Sequence, residues 1–332
     1  VEADEIVFTG GGTESNALAI LGGLAAAKDK SGPFLFSAVE HPSITKLSER
    51  IESEGRPVVR IPVNRDGFLD EDFLVGALRK TPRPALVSVM FVGNETGTIF
   101  PVGRIALRCR ESGVLFHVDA VQGAGKTPGL LAEETGADLI SLSAHKLGGL
   151  QGTGAVVVRK GSAPRPVLGA GPQERGLRGG TENLPGIVAF GIAADHWRKS
   201  GGEIRARLSA LGERFQEIIS RLEGASLLAA KAPRIPSIAT VRFEGVSGEG
   251  LLQALDLAGV SVSLGAACAS GSLEPSPVLL AMGYSREEAK SSVRFSFGWS
   301  TQESDLTALA GILPAELERL RGVARRYAGR TA

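Results

Sequence analysis

The stretch DLISLSAHKLGG, residues 138–149, places Lys146 directly after an apolar run and before two glycines. A lysine in a tight, partly apolar turn loses solvation, so its pKa falls and its neutral amine becomes nucleophilic. Such an amine is what forms a Schiff base with an aldehyde. A solvated surface lysine after a strand is the commoner case for any single lysine, so this stretch alone leaves both interpretations open.

A second stretch, FTGGGTESNALA, sets three glycines and Thr13 between a predicted strand and a predicted helix. Backbone N–H groups at a helix start bind anions, and glycine lets the ligand approach closely. The Walker signature is absent because no Gly-Lys-Ser/Thr follows, so a single phosphate fits better than a nucleoside triphosphate. A plain glycine-rich turn is the alternative.

A third stretch, HVDAVQ, ends an apolar run with Asp119, and Gln122 follows three positions later. A carboxylate at the C-terminal end of a parallel strand points into the crevice where such sheets bind ligands. Taken alone, the residue is more often an N-cap of a following helix.

The loop SLGAACASGSLEPS, residues 263–276, sets Cys268 among small residues that offer little to bury it. Its thiol is therefore either incidental or held where something reacts with it. The other cysteine, Cys109, lies in a predicted amphipathic helix and is given no function.

The bulk composition excludes several classes of protein. Of the 332 residues, 43% are hydrophobic and 22% are charged, which is ordinary for a globular protein. The 37 Lys and Arg residues nearly balance the 36 Asp and Glu residues, so neither nucleic-acid binding nor a basic membrane surface is predicted. No apolar run is long enough to span a bilayer, and two distant cysteines make neither a disulfide framework nor a metal site. We expect a cytoplasmic protein without a metal.

The elements that must position these residues alternate between strand-like and helix-like segments up to about Ser200. This pattern predicts an α/β domain with a mainly parallel sheet over residues 1–200. A long amphipathic helix over 195–224 and strands over 237–246, 260–265 and 291–299 predict a smaller α+β domain over residues 201–332.

A phosphate cradle, a strand-end aspartate and a nucleophilic lysine on one sheet are the parts that a pyridoxal phosphate site needs. At these residues the chain resembles a pyridoxal-phosphate-dependent cysteine desulfurase of the NifS/IscS type, in the class V aminotransferase family. The resemblance is carried by FTGGGTESNALAI, VEH, GNETGTI, HVDAVQ, SAHKLGGLQGTGA, QERGLRGGTEN and GAACASGSLEPS. It implies a fold-type I transferase, with a seven-stranded-type sheet covered by helices and a smaller C-terminal domain that carries the cysteine loop.

The resemblance also implies roles for individual residues. The predicted set is Lys146, Cys268 and His41 for catalysis; Gly12, Thr13, Asp119, Gln122, Ser143, His145, Lys146 and Thr181 for the cofactor; and Asn94 and Arg294 for the substrate carboxylate. Lys146 carries the cofactor, Asp119 pairs with its ring nitrogen, Gln122 with its ring hydroxyl, and His41 stacks on the ring and assists proton transfer.

Cys268 would take sulfur from L-cysteine as a persulfide, leaving L-alanine, and pass it to an acceptor protein such as an iron–sulfur scaffold or to tRNA thiolation. Thr181 would reach the phosphate of the partner in a homodimer.

The sequence departs from the family pattern in lacking the N-terminal strand that usually precedes EIVFTSGATES, and in having GWST in place of GRxT. Two alternatives therefore stay open. One is another class V enzyme, an aminotransferase or a selenocysteine lyase. The other is an inactive, N-terminally shortened homologue that acts as a binding protein.

Overall fold

The computed structural model describes residues 1–27, 29–127, 135–169, 171–265 and 274–328. The chain divides into two units. The first comprises Val1–Val63, Leu69–Gly93 and Ile99–Gly202, and the second comprises Asn64–Phe68, Asn94–Thr98 and Glu203–Ala332. Two short segments in the first hundred residues thus belong with the C-terminal unit. The predicted division of the chain after residue 200 does not include these segments in that unit.

A seven-stranded sheet is the frame of the first unit. Its strands are β1 (Ile6–Thr9), β2 (Phe34–Ser37), β3 (Val58–Ile61), β4 (Leu86–Met90), β5 (Leu115–Asp119), β6 (Leu139–Ser143) and β7 (Gly154–Val158). They lie in the order β1-β7-β6-β5-β4-β2-β3. The pairs from β3 to β6 are parallel, and β7 is antiparallel to both neighbours. The predicted α/β class with a mainly parallel sheet is confirmed.

The helices of this unit are α1 (Gly12–Ala26), α2 (Pro42–Ser53), α3 (Glu71–Leu78) and α4 (Val102–Glu111), together with the N-terminal part of α5 (Leu184–Ser220). Polar caps set where two of them begin. The Asp70 side chain accepts a hydrogen bond from the backbone N–H of Phe73 at α3, and His41 caps α2 in the same way. Parallel strands need covering helices, and the buried runs of β2 and β4 accordingly carry apolar residues on both faces.

The second unit is a three-stranded antiparallel sheet packed with helices. Its strands β8 (Ala225–Leu227), β9 (Ile238–Phe243) and β10 (Ser292–Ser296) lie in the order β10-β9-β8. Its helices are the C-terminal part of α5, α6 (Gly248–Leu257), α7 (Pro277–Ala281), α8 (Arg286–Lys290) and α9 (Glu303–Ala328). The core centres on Phe215, whose ring lies 4.9 Å from that of Phe295 and 5.2 Å from that of Phe297.

Two local expectations were wrong. The segment predicted as a strand over 260–265 joins β10 only through a single bridge between Ser263 and Arg294. The long helix begins at Leu184 instead of near Asp195, because apolar residues such as Phe190 already find buried positions there. Among the described residues no helix is both long and apolar enough to cross a membrane.

Helix α1 approaches the sheet more closely than a side chain at Gly23 allows. A Cβ atom built there would lie 2.7 Å from Leu86 Cδ1 and 2.9 Å from Leu115 Cδ2. We therefore expect Gly23→Ala to lower the stability by about 1–3 kcal/mol, through overpacking of the core. Thermal unfolding followed by circular dichroism measures this as a lower midpoint.

The matched control is Gly76→Ala in α3, where a Cβ atom meets nothing within 4 Å. Replacing an unobstructed helical glycine with alanine is expected to leave the midpoint unchanged or raise it. Equal midpoints for the two variants would contradict the close helix–sheet packing.

Candidate functional site

The glycine-rich turn between β1 and α1 leaves the start of α1 open to an anion. Gly11 is the N-cap residue, with φ of 150°, and makes no side-chain capping bond. The first amides of a helix have no carbonyl partner within it and carry the positive end of the helix dipole. A Cβ atom at Gly12 would lie 2.9 Å from Val121 Cγ2 and 3.4 Å from Ser143 Cβ. Glycine therefore brings these amides close to the ends of β5 and β6.

The lysine turn follows β6 directly. Ser143 ends the strand, and Ala144–Lys146 form a short 3-10 helix in which Lys146 is half-buried. Ser143 Oγ lies 2.9 Å from His145 Nδ1. Burial lowers the pKa of His145, and positive charge on Lys146 and Lys126 lowers it further. Positive charge is thus concentrated beside the open end of α1.

Asp119 ends β5 and is buried, with 6% of its surface exposed. Its Oδ1 accepts a hydrogen bond of 2.9 Å from Val121 N, and its Oδ2 one of 2.8 Å from Asn16 Nδ2. Residues 121–126 form turns, so Asp119 is not the cap of a following helix. Burial raises the pKa of Asp119, opposed by these two hydrogen bonds and by His41. The carboxylate therefore lacks sufficient positive charge nearby to offset its desolvation.

His41 is half-buried and caps α2 through its Nδ1 atom, which accepts from Ser43 N at 3.1 Å. Burial is the main cause that lowers the pKa of His41. Asp119 opposes this shift, and Lys146 adds to it. His41, Asp119 and Lys146 therefore lie close enough to affect one another electrostatically.

Gln122 and Thr13 lie at the margins of this site. Gln122 is half-buried, and its Oε1 accepts a hydrogen bond of 2.8 Å from Lys126 Nζ. Thr13 is exposed in the first turn of α1. Thr181 is also exposed and lines a separate small cavity of about 50 Å³ with Thr9 and Arg178.

In the second unit, Arg294 of β10 lies next to Asn94. Arg294 Nη1 donates to the backbone oxygen of Asn94 at 3.2 Å. Arg294 Nε and Asn94 Oδ1 are buried and have no hydrogen-bond partner among the described residues. An arginine N–H group left unpaired in this way is a donor suited to a carboxylate ligand. Cys268 lies outside the described residues.

The class V aminotransferase model matches residues 1–309 of the sequence. The chain belongs to the class V aminotransferase family. A "Cysteine desulfurase" of Gluconacetobacter diazotrophicus is 41% identical over 330 residues, covering 99% of this chain and 82% of that protein. A "Cysteine desulfurase IscS" of Dictyoglomus turgidum is 39% identical, with 97% and 81% covered.

Solved structures of similar class V proteins agree. A NifS-like protein from Rickettsia africae has a TM-score of 0.83 at 27% identity, with 95% of this chain and 82% of that chain covered. The structure titled "SspA in complex with cysteine" has a TM-score of 0.78 at 30% identity, with 90% and 82% covered. The predicted resemblance to cysteine desulfurases and the fold class are confirmed.

Membership of the class V family implies pyridoxal phosphate as a cofactor in general. The first unit has hydrogen-bond donors and charged groups that fit this cofactor. The open amides at Gly12 and the cationic turn at Lys146 suit a phosphate. The buried carboxylate of Asp119 suits a protonated ring nitrogen, because a cation there offsets the desolvation that raises its pKa.

Sequence reasoning missed Lys126. Its ammonium group is 2.8 Å from Gln122 Oε1, and burial together with Lys146 lowers the pKa of Lys126 to about 8. Its position four residues after Gln122, in QGAGK, is the signal that places it beside Gln122.

Sequence reasoning also missed a buried histidine beneath Asp119. His117 Nδ1 lies 2.8 Å from Ser88 Oγ, and its Nε2 lies 2.8 Å from Ser141 Oγ. Burial lowers the pKa of His117 to about 3, so it stays neutral and ties β4, β5 and β6 together. The alternation in HVD, which puts positions 117 and 119 on one face, is the signal for it.

Glu40, next to His41, was likewise missed. Its Oε1 accepts a hydrogen bond of 2.6 Å from Met90 N, while its Oε2 is buried and has no partner among the described residues. Burial and the charge of Asp119 raise the pKa of Glu40 well above its usual range. Glu40 therefore stays a neutral carboxylic acid to a higher pH than an exposed glutamate does.

This charge state gives a pH-dependent prediction for Glu40→Gln. In the unfolded chain Glu40 ionises at its ordinary pKa, whereas its raised pKa in the folded chain keeps it protonated to higher pH, so its contribution to stability falls as the pH rises above about 4.3. Glutamine has no such penalty. We expect the variant to gain stability over the parent by up to about 1.4 kcal/mol for each pH unit in this window.

The measurement is the thermal midpoint of parent and variant at pH 5 and pH 8. The advantage of Glu40→Gln should be larger at pH 8. A constant difference at both pH values would mean that Glu40 is ionised in the folded protein.

Proposed function

We propose that this chain is a cysteine desulfurase that uses pyridoxal phosphate. The observation that carries the proposal is the convergence of Lys146, Asp119 and the open end of α1 at one edge of a mainly parallel sheet, where β1, β5 and β6 end. The names of the curated relatives support L-cysteine as the substrate.

The first unit contains a set of residues for holding the cofactor. We assign the phosphate to the amides at Gly12 and Thr13 and to the side chains of Thr13, Ser143 and His145, the ring nitrogen to Asp119, the ring hydroxyl to Gln122, and the aldehyde to Lys146. When bound, pyridoxal phosphate supplies an aldehyde that takes up the substrate amine and a ring that withdraws electrons from it.

The charges of these residues support that assignment. Repulsion from Lys146 contributes to the lowered pKa values of His145 and Lys126. A phosphate dianion in their midst relieves this repulsion, just as a protonated ring nitrogen balances Asp119. The two ends of the cofactor thus match the two signs of charge in the site.

The amine of Lys146 is also the group that we expect to move the substrate's α-proton once it is freed from the cofactor. Its place in the half-buried turn directly after β6 keeps this amine at the site. The turn is held in place because Trp197 Nε1 donates a hydrogen bond of 2.9 Å to Leu147 O.

The substrate carboxylate is assigned to Arg294 and Asn94 in the second unit. The unpaired buried Nε–H of Arg294 supports this role, since an unpaired buried donor is costly unless a ligand satisfies it. Glu95, the next residue, accepts a hydrogen bond of 2.6 Å from Ser276 Oγ and is thereby occupied within the fold.

The sulfur acceptor is assigned to Cys268. The sequence has two cysteines, and Cys109 is fully buried in α4, where burial and Asp138 raise the pKa of its thiol to about 12. In the proposed step the C–S bond of L-cysteine breaks and an S–S bond to Cys268 forms, with a proton replacing sulfur on carbon. L-cysteine and the enzyme thiol thereby give L-alanine and an enzyme persulfide without an added oxidant.

Replacing the acceptor thiol tests this assignment. We expect Cys268→Ala to reduce sulfide release from L-cysteine to background while the cofactor's absorbance is unchanged, because no thiolate remains to accept the sulfur. The measurement is sulfide production in the presence of dithiothreitol.

The matched control is Cys109→Ala, which removes the buried thiol and is expected to keep the parent's sulfide release. Undiminished sulfide release by Cys268→Ala would exclude the acceptor role and favour another class V activity. Loss of release in both variants would point to damage to the fold.

A conservative change at Arg294 tests the carboxylate site. Lysine keeps the charge but loses the planar pair of N–H donors, so we expect Arg294→Lys to raise the KM for L-cysteine by roughly 10- to 100-fold. Steady-state alanine formation gives KM and kcat separately.

Arg242→Lys on the neighbouring strand β9 is the control, since Arg242 pairs with Glu288 across 3.4 Å. Its KM is expected to match the parent's. An unchanged KM in Arg294→Lys would remove Arg294 from the substrate site.

We further propose a homodimer in which Thr181 of each chain reaches the phosphate of its partner. Leu184, Val188 and Ile192 form an apolar stripe at four-residue spacing on α5, with 66%, 53% and 67% of their surfaces exposed. Exposed apolar stripes of this kind mark protein interfaces, and Thr181 is exposed just before the stripe begins.

The persulfide on Cys268 requires a thiol-bearing acceptor, which we propose to be a protein such as an iron–sulfur scaffold. The thiol must stay reduced between turnovers, and this places the reaction in a reducing compartment, the cytoplasm. These two assignments follow from the proposed chemistry.

A further inference from the structure

A continuous chain of hydrogen bonds joins Asp119 to His41 through two residues that have no part in the roles assigned so far. Asn16 Nδ2 donates to Asp119 Oδ2 at 2.8 Å and to Ser43 Oγ at 2.9 Å. Ser43 Oγ in turn lies 2.8 Å from His41 Nδ1. The four residues come from β5, α1 and the start of α2, and all belong to the first unit.

The direction of each hydrogen bond in this chain is fixed by its chemistry. The Asn16 amide must turn its NH₂ group toward Asp119, because its oxygen would repel the carboxylate. Ser43 Oγ accepts the other amide hydrogen, which leaves its own hydrogen for His41. Nδ1 of His41 also accepts from Ser43 N at 3.1 Å, and a protonated Nδ1 could accept neither bond.

We propose that Asn16 and Ser43 are positioning residues that hold neutral His41 as the tautomer with its proton on Nε2. His41 then presents a hydrogen-bond donor at Nε2, and the lone pair of its ring faces Ser43. This inference rests on the proposed function in one respect, which is that His41 faces the cofactor. In this tautomer His41 donates a hydrogen bond from Nε2 and does not act as a base at that atom.

The burial of Asn16 indicates that this residue has a role other than stabilising the fold. Asn16 is 1% exposed, and its Oδ1 has no partner among the described residues. A buried acceptor without a partner is costly, so the residue type is explained by its two N–H donors, both of which are used. Its orientation also fixes that of the Asp119 carboxylate.

The surroundings of His41 agree with a neutral ring. Asp119 favours the protonated ring and Lys146 disfavours it, while the pKa of Glu40, the preceding residue, is raised, which reduces its negative charge. Burial adds to the preference for the neutral ring, so the pKa of His41 lies below its ordinary value. Removing the hydroxyl donor to Nδ1 should therefore shift the titration of His41 upward.

The test is a long-range ¹H–¹⁵N NMR spectrum of the cofactor-loaded protein across a pH titration. The chain has four histidines, and loss of one signal set in His41→Gln assigns His41. We expect the Nε2–H pattern for His41 in the parent protein. We expect Ser43→Ala and Asn16→Ala to raise its pKa by about 0.5–1 unit and to admit the Nδ1–H tautomer.

Two matched variants control for damage to the same helices. Ser48→Ala removes a buried hydroxyl of α2 that donates to Thr45 O, and Ser15→Ala removes one of α1 that bonds to Thr9. Both should leave the His41 titration and tautomer unchanged. An Nδ1–H pattern in the parent, or shifts no larger in Ser43→Ala and Asn16→Ala than in the controls, would overturn the proposal.

The same samples separate this inference from the proposed function. If the protein releases no alanine from L-cysteine but His41 behaves as expected, the function fails and the positioning role holds. If alanine is released and the histidine spectra do not respond, the positioning role alone fails.

Discussion

The carboxylate of Asp119, buried at the end of β5, is the constraint on which the rest of the site depends. A charge in that position is unfavourable unless hydrogen-bond donors and a cation surround it. Val121 N and Asn16 Nδ2 supply two donors, and the raised pKa of Asp119 indicates that they are insufficient alone. The site therefore suits a positive group, and the ring nitrogen of the proposed cofactor would be one when protonated.

Parallel strand pairing brings the other groups to the same edge. Asp119 pairs in register with Ser141 on one side and with Met90 on the other, so Ser143 and Lys146 leave β6 beside it. Met90 N holds Glu40 in place, and Glu40 precedes His41. The neutral His117 bridges the three strands one layer below. Opposite charges therefore lie at fixed positions around one strand end.

The residues that sequence reasoning found are those whose local context reveals them. Asp119 and Lys146 each follow an apolar strand, and Gly12 follows another, so the alternation of strands and helices predicts that they meet. These positions depend on the chain order alone, through the rule that parallel strands share their carboxyl edge.

Asn16 and Ser43 escaped detection because their bonds span 103 and 27 residues, and nothing in the neighbouring sequence marks the partner. The wrong strand over 260–265 has a similar cause. Its alternation of valine and serine suits a strand, but a ladder needs a partner, and only Ser263 finds one in Arg294. Pairing is a property of the whole fold, whereas periodicity is local.

In helix α5 the packing of the whole fold overrides an unfavourable local sequence. Gly201 and Gly202 each disfavour a helix by about 1 kcal/mol relative to alanine. The helix nevertheless runs from Leu184 to Ser220, because Phe190 and Ala193 are buried before the glycines and Leu208 and Phe215 after them. Burial of several apolar side chains outweighs two unfavourable backbone positions.

The most direct measurement is the yield of alanine and of sulfide from L-cysteine, made with protein reconstituted with pyridoxal phosphate and supplied with a thiol reductant. We expect equal molar amounts of both products over many turnovers. Neither product from protein that carries the cofactor would contradict desulfurase chemistry at this site.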